Sequence, residues 1–379
     1  MIREVTDLLA SSTLEVIPRH TIPSDNPPLQ PIWSFRRKRA PYWSILKYKA
    51  RLCPNGWKQI EGINFWETYA PVVSWRTVHL TLILSLLSGL KSRQVDYVSA
   101  YTQAPLDCEL FMNIPPGFII QDGVPTFTTS STRGNSTDYL LKFKKNMYGL
   151  KQAGKSAIDP CLFIRPNCMI IVYVDDCLLF AKTDSILDSV VASLQSEFHL
   201  TSQGNVGAFL GVDIHRNANG FLELTQPGLI TKIISSCGLE SDSNQHRTSS
   251  IDILLDDPNG PECEHTWNYQ AIIGMLTYLS TSTRPDIAFS VHQCARFSSH
   301  PKRLHELAVC WIVCYLKGTQ DKGYILRPLL DHCRLECYVV TDFAGLWSST
   351  NSHDPISVRS RTGYVITFAN CLVLWSSKL

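Results

Sequence analysis

Apolar positions along the chain recur with two different periods, which predict both helices and strands. Apolar residues three and four positions apart predict amphipathic helices at residues 5–14, 77–90, 185–198, 227–237, 269–279 and 304–316. Short apolar runs bounded by polar turns predict strands at residues 48–52, 93–98, 335–340 and 362–368, and a hairpin of 209–214 with 221–224. The Gly/Ser/Thr-rich segment 119–137 is predicted to be a surface loop. The chain is therefore expected to be α+β.

The most informative run covers residues 168–181, which are apolar almost throughout and carry Asp175 and Asp176 in the middle. Apolar flanks around a polar centre predict a buried hairpin with the two Asp residues at its bend. Adjacent carboxylates repel each other and are costly to desolvate unless a cation neutralises them. Mg²⁺ prefers such hard oxygen ligands. The alternative is an exposed Asp-Asp turn that binds no metal.

Asp96 is a second acidic position of interest, because it lies near the end of the predicted strand 93–98. If this strand lies beside the hairpin, Asp96 joins Asp175 and Asp176 in a site for two metal ions. Two such ions lower the pKa of an attacking hydroxyl and stabilise the phosphoryl oxygens of an in-line displacement. Taken alone, Asp96 would instead be a strand-end cap.

Charge is unevenly distributed, although 35 Lys and Arg nearly balance 33 Asp and Glu and the formal net charge is +2. Residues 26–60 and 139–158 contain many cations and no acidic residue. Aromatic residues are interleaved with the first set of cations: Trp33, Phe35, Tyr42, Trp43, Tyr48 and Trp57. Cations contact phosphates and rings stack on bases, so the two stretches favour a nucleic-acid ligand. The alternative is two solvated faces with aromatic residues packed underneath.

Composition excludes several classes of protein. A hydrophobic fraction of 44% is too high for a disordered chain, and 13 scattered cysteines without a signal segment favour a reducing compartment over a secreted disulfide scaffold. The best apolar stretch, residues 78–90, is shorter than the roughly 20 residues that cross a bilayer, so a soluble protein is expected. Within it, His79 is predicted to be a core histidine. Leu307, Trp311 and Tyr315 share one helical face and are predicted to lie in the core.

Nine blocks, in order, resemble the reverse transcriptases of copia-type retrotransposons. They are residues 48–52 (YKARL), 62–72 (GINFWETYAPV), 96–101 (DYVSAY), 115–118 (PPGF), 148–153 (YGLKQA), 159–163 (DPCLF), 173–176 (YVDD), 209–211 (FLG) and 283–287 (TRPDI). Each block alone is a weak signal, but their common order makes the resemblance specific. It covers about residues 32–318, and a weaker resemblance to the family's RNase H-like segment continues to the C-terminus.

This resemblance implies an α+β, right-hand-shaped polymerase with fingers, a palm on an antiparallel sheet, and a helical thumb. Residues 1–223 would form the fingers and palm, 224–322 the thumb and connection, and 323–379 a truncated RNase H-like segment. The implied activity is RNA-directed DNA polymerase, acting on an RNA or DNA template-primer and deoxynucleoside triphosphates, with no membrane partner. The implied location is the cytoplasm, in a retroelement particle, with the nucleus as the alternative.

The resemblance also assigns the chemistry to individual residues. Asp96, Asp175 and Asp176 would be catalytic and would bind two Mg²⁺ ions, with Mn²⁺ as an alternative metal. Lys49 and Arg51 would bind the triphosphate of the incoming nucleotide from a strand of the fingers. The metal and phosphate contacts agree with the interpretation of the acidic and basic residues given above.

Further residues would position the substrates. Gln152 would lie along the incoming nucleotide, near the templating base, and Tyr101 would sit under its sugar and exclude a 2′-hydroxyl. Phe209, Leu210 and Gly211 resemble the turn that holds the primer terminus.

Two departures from the family pattern predict a degenerate or incomplete copy. Only residues 153–158 separate Gln152 from Asp159, where the family has a long helix, and six helical residues rise only about 9 Å. Either a deletion or an error in the gene model explains this. Near the C-terminus, Val340 replaces the first catalytic Asp of the family's RNA-cleaving segment, which argues against a nuclease. The alternative to a polymerase is a catalytically inactive nucleic-acid-binding remnant.

Overall fold

The computed structural model describes residues 1–23, 26–39, 45–63, 72–98, 100–103, 106, 108–121, 124–127, 138–147, 161–241, 245–249, 254–264, 267–347, 349 and 356–379. Helices and antiparallel strands alternate along this part of the chain and form a mixed α/β fold. None of its helices is both long enough and apolar enough to cross a bilayer.

Seven α-helices are present in the described residues: α1 (Ile2–Ala10), α2 (Trp75–Leu87), α3 (Asp184–Glu197), α4 (Pro227–Ser236), α5 (Tyr269–Ser282), α6 (Ala288–Ala295) and α7 (Arg303–Lys317). The strands of the N-terminal half are β1 (Leu14–Pro18), β2 (Pro31–Arg39), β3 (Ile45–Pro54), β4 (Lys91–Tyr97), β5 (Phe111–Asn113), β6 (Phe118–Gln121), β7 (Val124–Phe127), β8 (Tyr139–Phe143), β9 (Leu162–Arg165), β10 (Cys168–Tyr173) and β11 (Asp176–Ala181). Those of the C-terminal half are β12 (Leu200–Gly204), β13 (Ala208–Phe209), β14 (Val212–Arg216), β15 (Leu222–Thr225), β16 (Tyr324–Leu326), β17 (Leu335–Thr341), β18 (Thr362–Phe368) and β19 (Cys371–Lys378).

A five-stranded antiparallel sheet lies at the centre, with the strand order β12-β4-β11-β10-β9. Side chains alternate along β11, because successive residues of a strand point to opposite faces. Leu178 and Phe180 pack into the core that contains α2, whereas Cys177 and Leu179 pack against α3. Burial on both faces explains why residues 168–181 are almost continuously apolar, and the predicted hairpin is confirmed.

The N-terminal region has its own core around a sheet of order β1-β8-β5. The two-stranded ribbon of β2 and β3 extends from it, with Leu52 fully buried at the base. The prediction of a loop over 119–137 is wrong for its described part. Strands β6 and β7 pair there, because Phe118 is buried and contacts the ring of Phe127 edge-on at 5.6 Å.

The C-terminal half combines a helical core with two sheets. Helices α4 to α7 bury one shared apolar cluster, and β13, β14, β15 and β16 form a sheet in that order. Strand β15 crosses the predicted limit at residue 223, and β16, which follows the helices, pairs with it. Strands β17, β18 and β19 form a separate sheet, of which Cys371 and Val373 enter the core that contains α2. The division into three domains stays a prediction.

The buried face of α7 differs from the predicted one. Leu307 is 49% exposed, and the helix contributes Val309, Ile312, Val313 and Leu316 to the core instead. A helix rich in apolar residues has two faces of similar hydrophobicity, so periodicity alone selected the wrong one.

His79 is confirmed as a core histidine, with 1% of its surface exposed. Its Nε2 lies 2.9 Å from the carbonyl oxygen of Ser282 and its Nδ1 lies 3.3 Å from that of Val373. The ring also stacks on Trp375 at 5.3 Å between centroids. Burial lowers the pKa of His79 to about 4, since it penalises the imidazolium more than the two carbonyl groups stabilise it.

We expect this histidine to make the protein less stable as the pH falls below 6.5. The unfolded chain then binds a proton that the folded chain excludes down to about pH 4, so the free energy of unfolding decreases through this window. The lost stability amounts to about 3 kcal/mol at most. Chemical denaturation of the wild type and of His79→Gln at pH 7.5 and 4.5 measures it. His215→Gln, at an exposed histidine of β14, is the control, and equal losses of stability in the wild type and His79→Gln would contradict the prediction.

Candidate functional site

The central sheet brings the three predicted carboxylates to neighbouring backbone positions. Strands β4 and β11 pair antiparallel in a register that places Asp96 directly opposite Asp176. Residues opposite each other across an antiparallel pair have their Cβ atoms about 5 Å apart on the same face. Asp175 precedes Asp176 in the bend, and its carbonyl oxygen accepts a 2.8 Å hydrogen bond from the amide of Tyr97. The bend is thus attached to the strand that carries Asp96.

The bend itself has a strained backbone. Val174 has a φ of 56°, a conformation that β-branched residues rarely adopt. Such a conformation costs about 1–3 kcal/mol and persists only where the surrounding structure enforces it. Here the pairing of Tyr173 with Asp176 in the hairpin and the hydrogen bond to Asp175 provide that enforcement. Strain of this kind concentrates at functional sites.

The three carboxylates also act on each other electrostatically. Partial burial raises the pKa of the Asp176 carboxyl, and the charges of Asp175 and Asp96 raise it further. The neighbouring thiol of Cys177 responds to the same charges: burial raises its pKa to about 12, with added contributions from all three Asp residues. The sheet therefore gathers negative charge at one place, where a cation would relieve the repulsion.

The chemistry of these donors fits a divalent cation, although their side chains are not arranged around one. Within the described part of the chain, no three His, Cys, Asp or Glu side chains are gathered into a group that could hold a metal ion. Carboxylates that face each other without a counter-ion repel, which favours separated oxygens. Because Mg²⁺ takes hard oxygen ligands from one or two carboxylates and from substrate phosphates, the donor set fits. The metal role of these residues stays a prediction at this point.

The ribbon of β2 and β3 places most of its cations on one face and two exposed aromatic rings on the other. Its register places Arg36 opposite Lys49, and Arg51 lies two residues further along the same face. The opposite face carries Phe35 and Tyr48, which are 66% and 72% exposed. The alternative that the aromatic residues are packed underneath a solvated face is wrong for these two. Arg37 lies opposite Tyr48 on this second face, so the ribbon can offer charge on one side and stacking surfaces beside one cation on the other.

The cationic face of the ribbon borders one carboxylate. The amide of Leu52 donates a hydrogen bond of 3.4 Å to Oε1 of Glu4 in α1. Burial raises the pKa of Glu4, while this hydrogen bond and the charges of Arg51 and Lys49 lower it by a smaller amount. Both cations are partly buried.

The predicted primer-binding residues form a tight turn between β13 and β14. Phe209 is 1% exposed and pairs with Val212, while Leu210 and Gly211 occupy the turn with φ values of 53° and 78°. Positive φ at both central residues is the requirement of a type I′ hairpin turn. Glycine meets it at little cost, whereas Leu210 needs contacts that hold it in place.

The other predicted site residues are described less fully. Tyr101 lies in a short helical turn, Ala100–Gln103, and its side chain is outside the described part, as is Gln152 entirely. Gln103 was not predicted, but it organises this turn: its Nε2 donates to the carbonyl of Val98 at 2.8 Å, and its Oε1 accepts from the amide of His199 at 2.8 Å. Since its partner lies far along the chain, no local pattern could have revealed it.

Comparison with known proteins supplies independent information. Residues 15–251 match a family model described as reverse transcriptase (RNA-dependent DNA polymerase). The chain is 27% identical to the Pol polyprotein of transposon RE1 from Arabidopsis thaliana, over 91% of this chain and 23% of that protein. It is 28% identical to the Pol polyprotein of transposon TNT 1-94 from Nicotiana tabacum, over 100% of this chain and 29% of that protein. A transposon Ty5-1 protein of Saccharomyces cerevisiae is 27% identical over 75% of this chain and 92% of its own length. The chain thus spans about a quarter of the two plant polyproteins.

Proposed function

This chain belongs to the reverse transcriptase family, and its relatives are Pol polyproteins of copia-type transposons. We therefore propose that it is an RNA-directed DNA polymerase. Its partners are then an RNA or DNA template-primer and deoxynucleoside triphosphates. The observation that carries the proposal is the register of β4 and β11, which sets Asp96 opposite Asp176 and next to the bend with Asp175.

In this proposal, different elements of the fold form the different parts of the polymerase. The central sheet serves as the palm, the ribbon of β2 and β3 as part of the fingers, and helices α4 to α7 as the thumb and connection. Strands β17 to β19 represent a shortened RNase H-like segment. In this segment Val340 is 74% exposed on β17, where the family has its first catalytic Asp, so we propose no nuclease activity.

The reaction joins the 3′-hydroxyl of a primer to the α-phosphorus of a deoxynucleoside triphosphate. A new oxygen–phosphorus bond forms, the bond to pyrophosphate breaks, and the hydroxyl proton passes to solvent. Asp96, Asp175 and Asp176 would hold two Mg²⁺ ions, which, when bound, activate the hydroxyl and stabilise the charge of the phosphoryl oxygens. Lys49 and Arg51 hold the triphosphate through charge-assisted hydrogen bonds.

The remaining residues position the substrates in this proposal. Tyr101 lies under the sugar and Gln152 along the incoming nucleotide, as the matching blocks imply. The turn at Leu210 and Gly211 holds the end of the primer against the carboxylates.

A primer-extension assay tests the proposal directly. The full chain is incubated with a heteropolymeric RNA template, an annealed DNA primer, the four deoxynucleoside triphosphates and Mg²⁺. We expect template-dependent lengthening of the primer, released pyrophosphate in equal amount, and loss of both with a chelator. Binding of the template-primer without any lengthening would overturn the proposal.

Binding without lengthening would favour the alternative, a catalytically inactive nucleic-acid-binding remnant. The observation behind it is the ribbon, whose exposed Phe35 and Tyr48 lie on a sheet separate from the carboxylates and could bind a single strand without catalysis. The short segment 153–158 points in the same direction. In a remnant, Phe35→Ala would weaken binding of single-stranded nucleic acid while no variant would affect extension.

A further inference from the structure

The C-terminal end of α5 contacts three other parts of the molecule. The carbonyl of Ser282 lies at the Nε2 of His79 in α2, and the carbonyl of Ser280 accepts a 2.8 Å hydrogen bond from the indole of Trp375 in β19. The last carbonyls of a helix have no partner within it, so such contacts satisfy them. The third contact is with the turn at Leu210 and Gly211, and Tyr278 makes it.

Tyr278 connects this turn to the centre of the molecule. Its hydroxyl donates a hydrogen bond of 2.5 Å to the carbonyl oxygen of Leu210. Its ring meets that of Trp75, at the start of α2, edge-on at 6.3 Å between centroids. Trp75 and Leu210 pack against the same core as Tyr173, which pairs with Asp176 in the hairpin. Tyr278 therefore joins the turn to a core that also holds the strand leading to the carboxylates.

Gln226 holds the second carbonyl of the turn. Its Nε2 donates to the carbonyl oxygen of Gly211 at 3.4 Å. Its Oε1 accepts hydrogen bonds from the hydroxyls of Ser282 at 2.6 Å and Thr283 at 2.7 Å. Gln226 is 2% exposed, so its orientation is set by these partners rather than by solvent. Both carbonyls of the turn are thus bonded to side chains that belong to, or are held by, the end of α5.

These hydrogen bonds hold a turn whose backbone is strained. Leu210 occupies a left-handed conformation that a non-glycine residue keeps only when its surroundings enforce it. Phe209, which precedes it, is buried and anchors the turn on that side. The hydrogen bond to Tyr278 acts on Leu210, and the bond to Gln226 acts on Gly211.

From this geometry we propose that Tyr278 and Gln226 are positioning residues for the primer end. They hold the turn at Leu210 and Gly211 in a fixed position relative to the hairpin of Asp175 and Asp176. The inference rests on the proposed function, because the turn holds a primer only if the chain extends one. Neither residue is proposed to touch the reacting atoms.

Tyr278→Phe is the informative variant, because it keeps the ring against Trp75 and removes only the hydroxyl. The matched control is Tyr269→Phe, which removes a hydroxyl from the same helix where it donates to the carbonyl of Cys294 at 2.9 Å, away from the turn. We expect kcat for primer extension to fall about tenfold in Tyr278→Phe, in line with one lost hydrogen bond, with little change in KM for the nucleotide. Tyr269→Phe should keep the wild-type kcat.

Amide hydrogen exchange over residues 208–212 provides a readout that does not require catalysis. We expect faster exchange in Tyr278→Phe and in Gln226→Leu, and an unchanged rate in Tyr269→Phe. Wild-type exchange and a wild-type kcat in Tyr278→Phe would overturn the inference even if the protein extends primers. A wild type that extends no primer would instead overturn the proposed function, and the positioning role with it.

Discussion

Asp176→Asn is expected to reduce the rate of primer extension by about a thousandfold or more. Metal-ion catalysis contributes several kcal/mol to such reactions, and each 1.36 kcal/mol corresponds to a factor of ten in rate. The substitution keeps the size of the side chain and removes the charge that lies opposite Asp96. Steady-state extension with Mg²⁺ measures the loss.

The stability of Asp176→Asn should not fall with its activity, which separates a catalytic defect from misfolding. The pKa of Asp176 is raised in the folded chain by burial and by the charges of Asp175 and Asp96, so its ionised form opposes folding near neutral pH. The asparagine variant is therefore expected to have a Tm equal to or above that of the wild type. Such a gain in stability at the expense of activity is common at functional sites.

Asp213→Asn provides the control for this prediction, because Asp213 is an exposed acidic residue of a paired strand in another sheet. It should extend primers at the wild-type rate. If Asp176→Asn retained more than about a tenth of the wild-type rate, the three carboxylates could not be the centre of the chemistry.

Asp286→Ala is expected to destabilise the folded chain by about 3 kcal/mol. The guanidinium of Arg284, whose side chain is 2% exposed, donates to both oxygens of Asp286 at 3.0 to 3.2 Å and again at 2.8 Å. It also donates to the carbonyl of Thr319 at 2.9 Å. The hydroxyl of Tyr315 donates to Asp286 at 2.7 Å. Among these partners of Arg284, only Asp286 carries a negative charge.

Removing one partner of a buried ion pair costs about 3–5 kcal/mol, because the other charge is left uncompensated. We place the effect at the lower end, since the side chain of Asp286 is 38% exposed and solvent screens part of the interaction. Although burial alone would raise it, the pKa of Asp286 is lowered by the hydrogen bond and the charge of Arg284. The stabilisation is therefore present at neutral pH and is lost as the pH falls through that lowered pKa.

Urea denaturation at pH 7 measures the effect of Asp286→Ala. The control is Glu262→Ala, which breaks an ion pair with Lys302 in which Glu262 is 81% exposed, and should cost at most about 1 kcal/mol. The loss of stability in Tyr315→Phe should lie between those of the two other variants, because it removes one hydrogen bond and leaves the ion pair intact. Equal losses in Asp286→Ala and Glu262→Ala would contradict the prediction.

Local patterns predicted most of the described helices correctly but fewer than half of the described strands. Helices α2, α3, α4, α5 and α7 lie where apolar spacing placed them, since each buries an apolar stripe in a shared core. The hairpin of β10 and β11 was predictable because its turn interrupts two apolar runs with charge. Local patterns failed over 119–121 and 124–127, the described part of the predicted loop 119–137, where Gly, Ser and Thr suggested a loop and the burial of Phe118 favours paired strands.

Tyr315 packs against the helical core, as predicted, and also makes a polar contact that periodicity does not predict. Its hydroxyl donates to the carboxylate of Asp286 at 2.7 Å. The block at residues 283–287 belongs to the resemblance, which implies no role for Arg284 or Asp286. Their contacts with each other and with Tyr315 depend on α7 lying beside the end of α5.

Residue order along the chain was thus sufficient for most of the helices, for the family and for the identity of the acidic residues that carry the proposed chemistry. These depend on short-range spacing, which each segment expresses alone. Three-dimensional packing was needed for the register that sets Asp96 opposite Asp176, for the two faces of the ribbon, and for the bond between Tyr278 and Leu210. The first and the last of these join segments distant in the chain, and the register of the central sheet depends on how α2 and α3 bury its two sides.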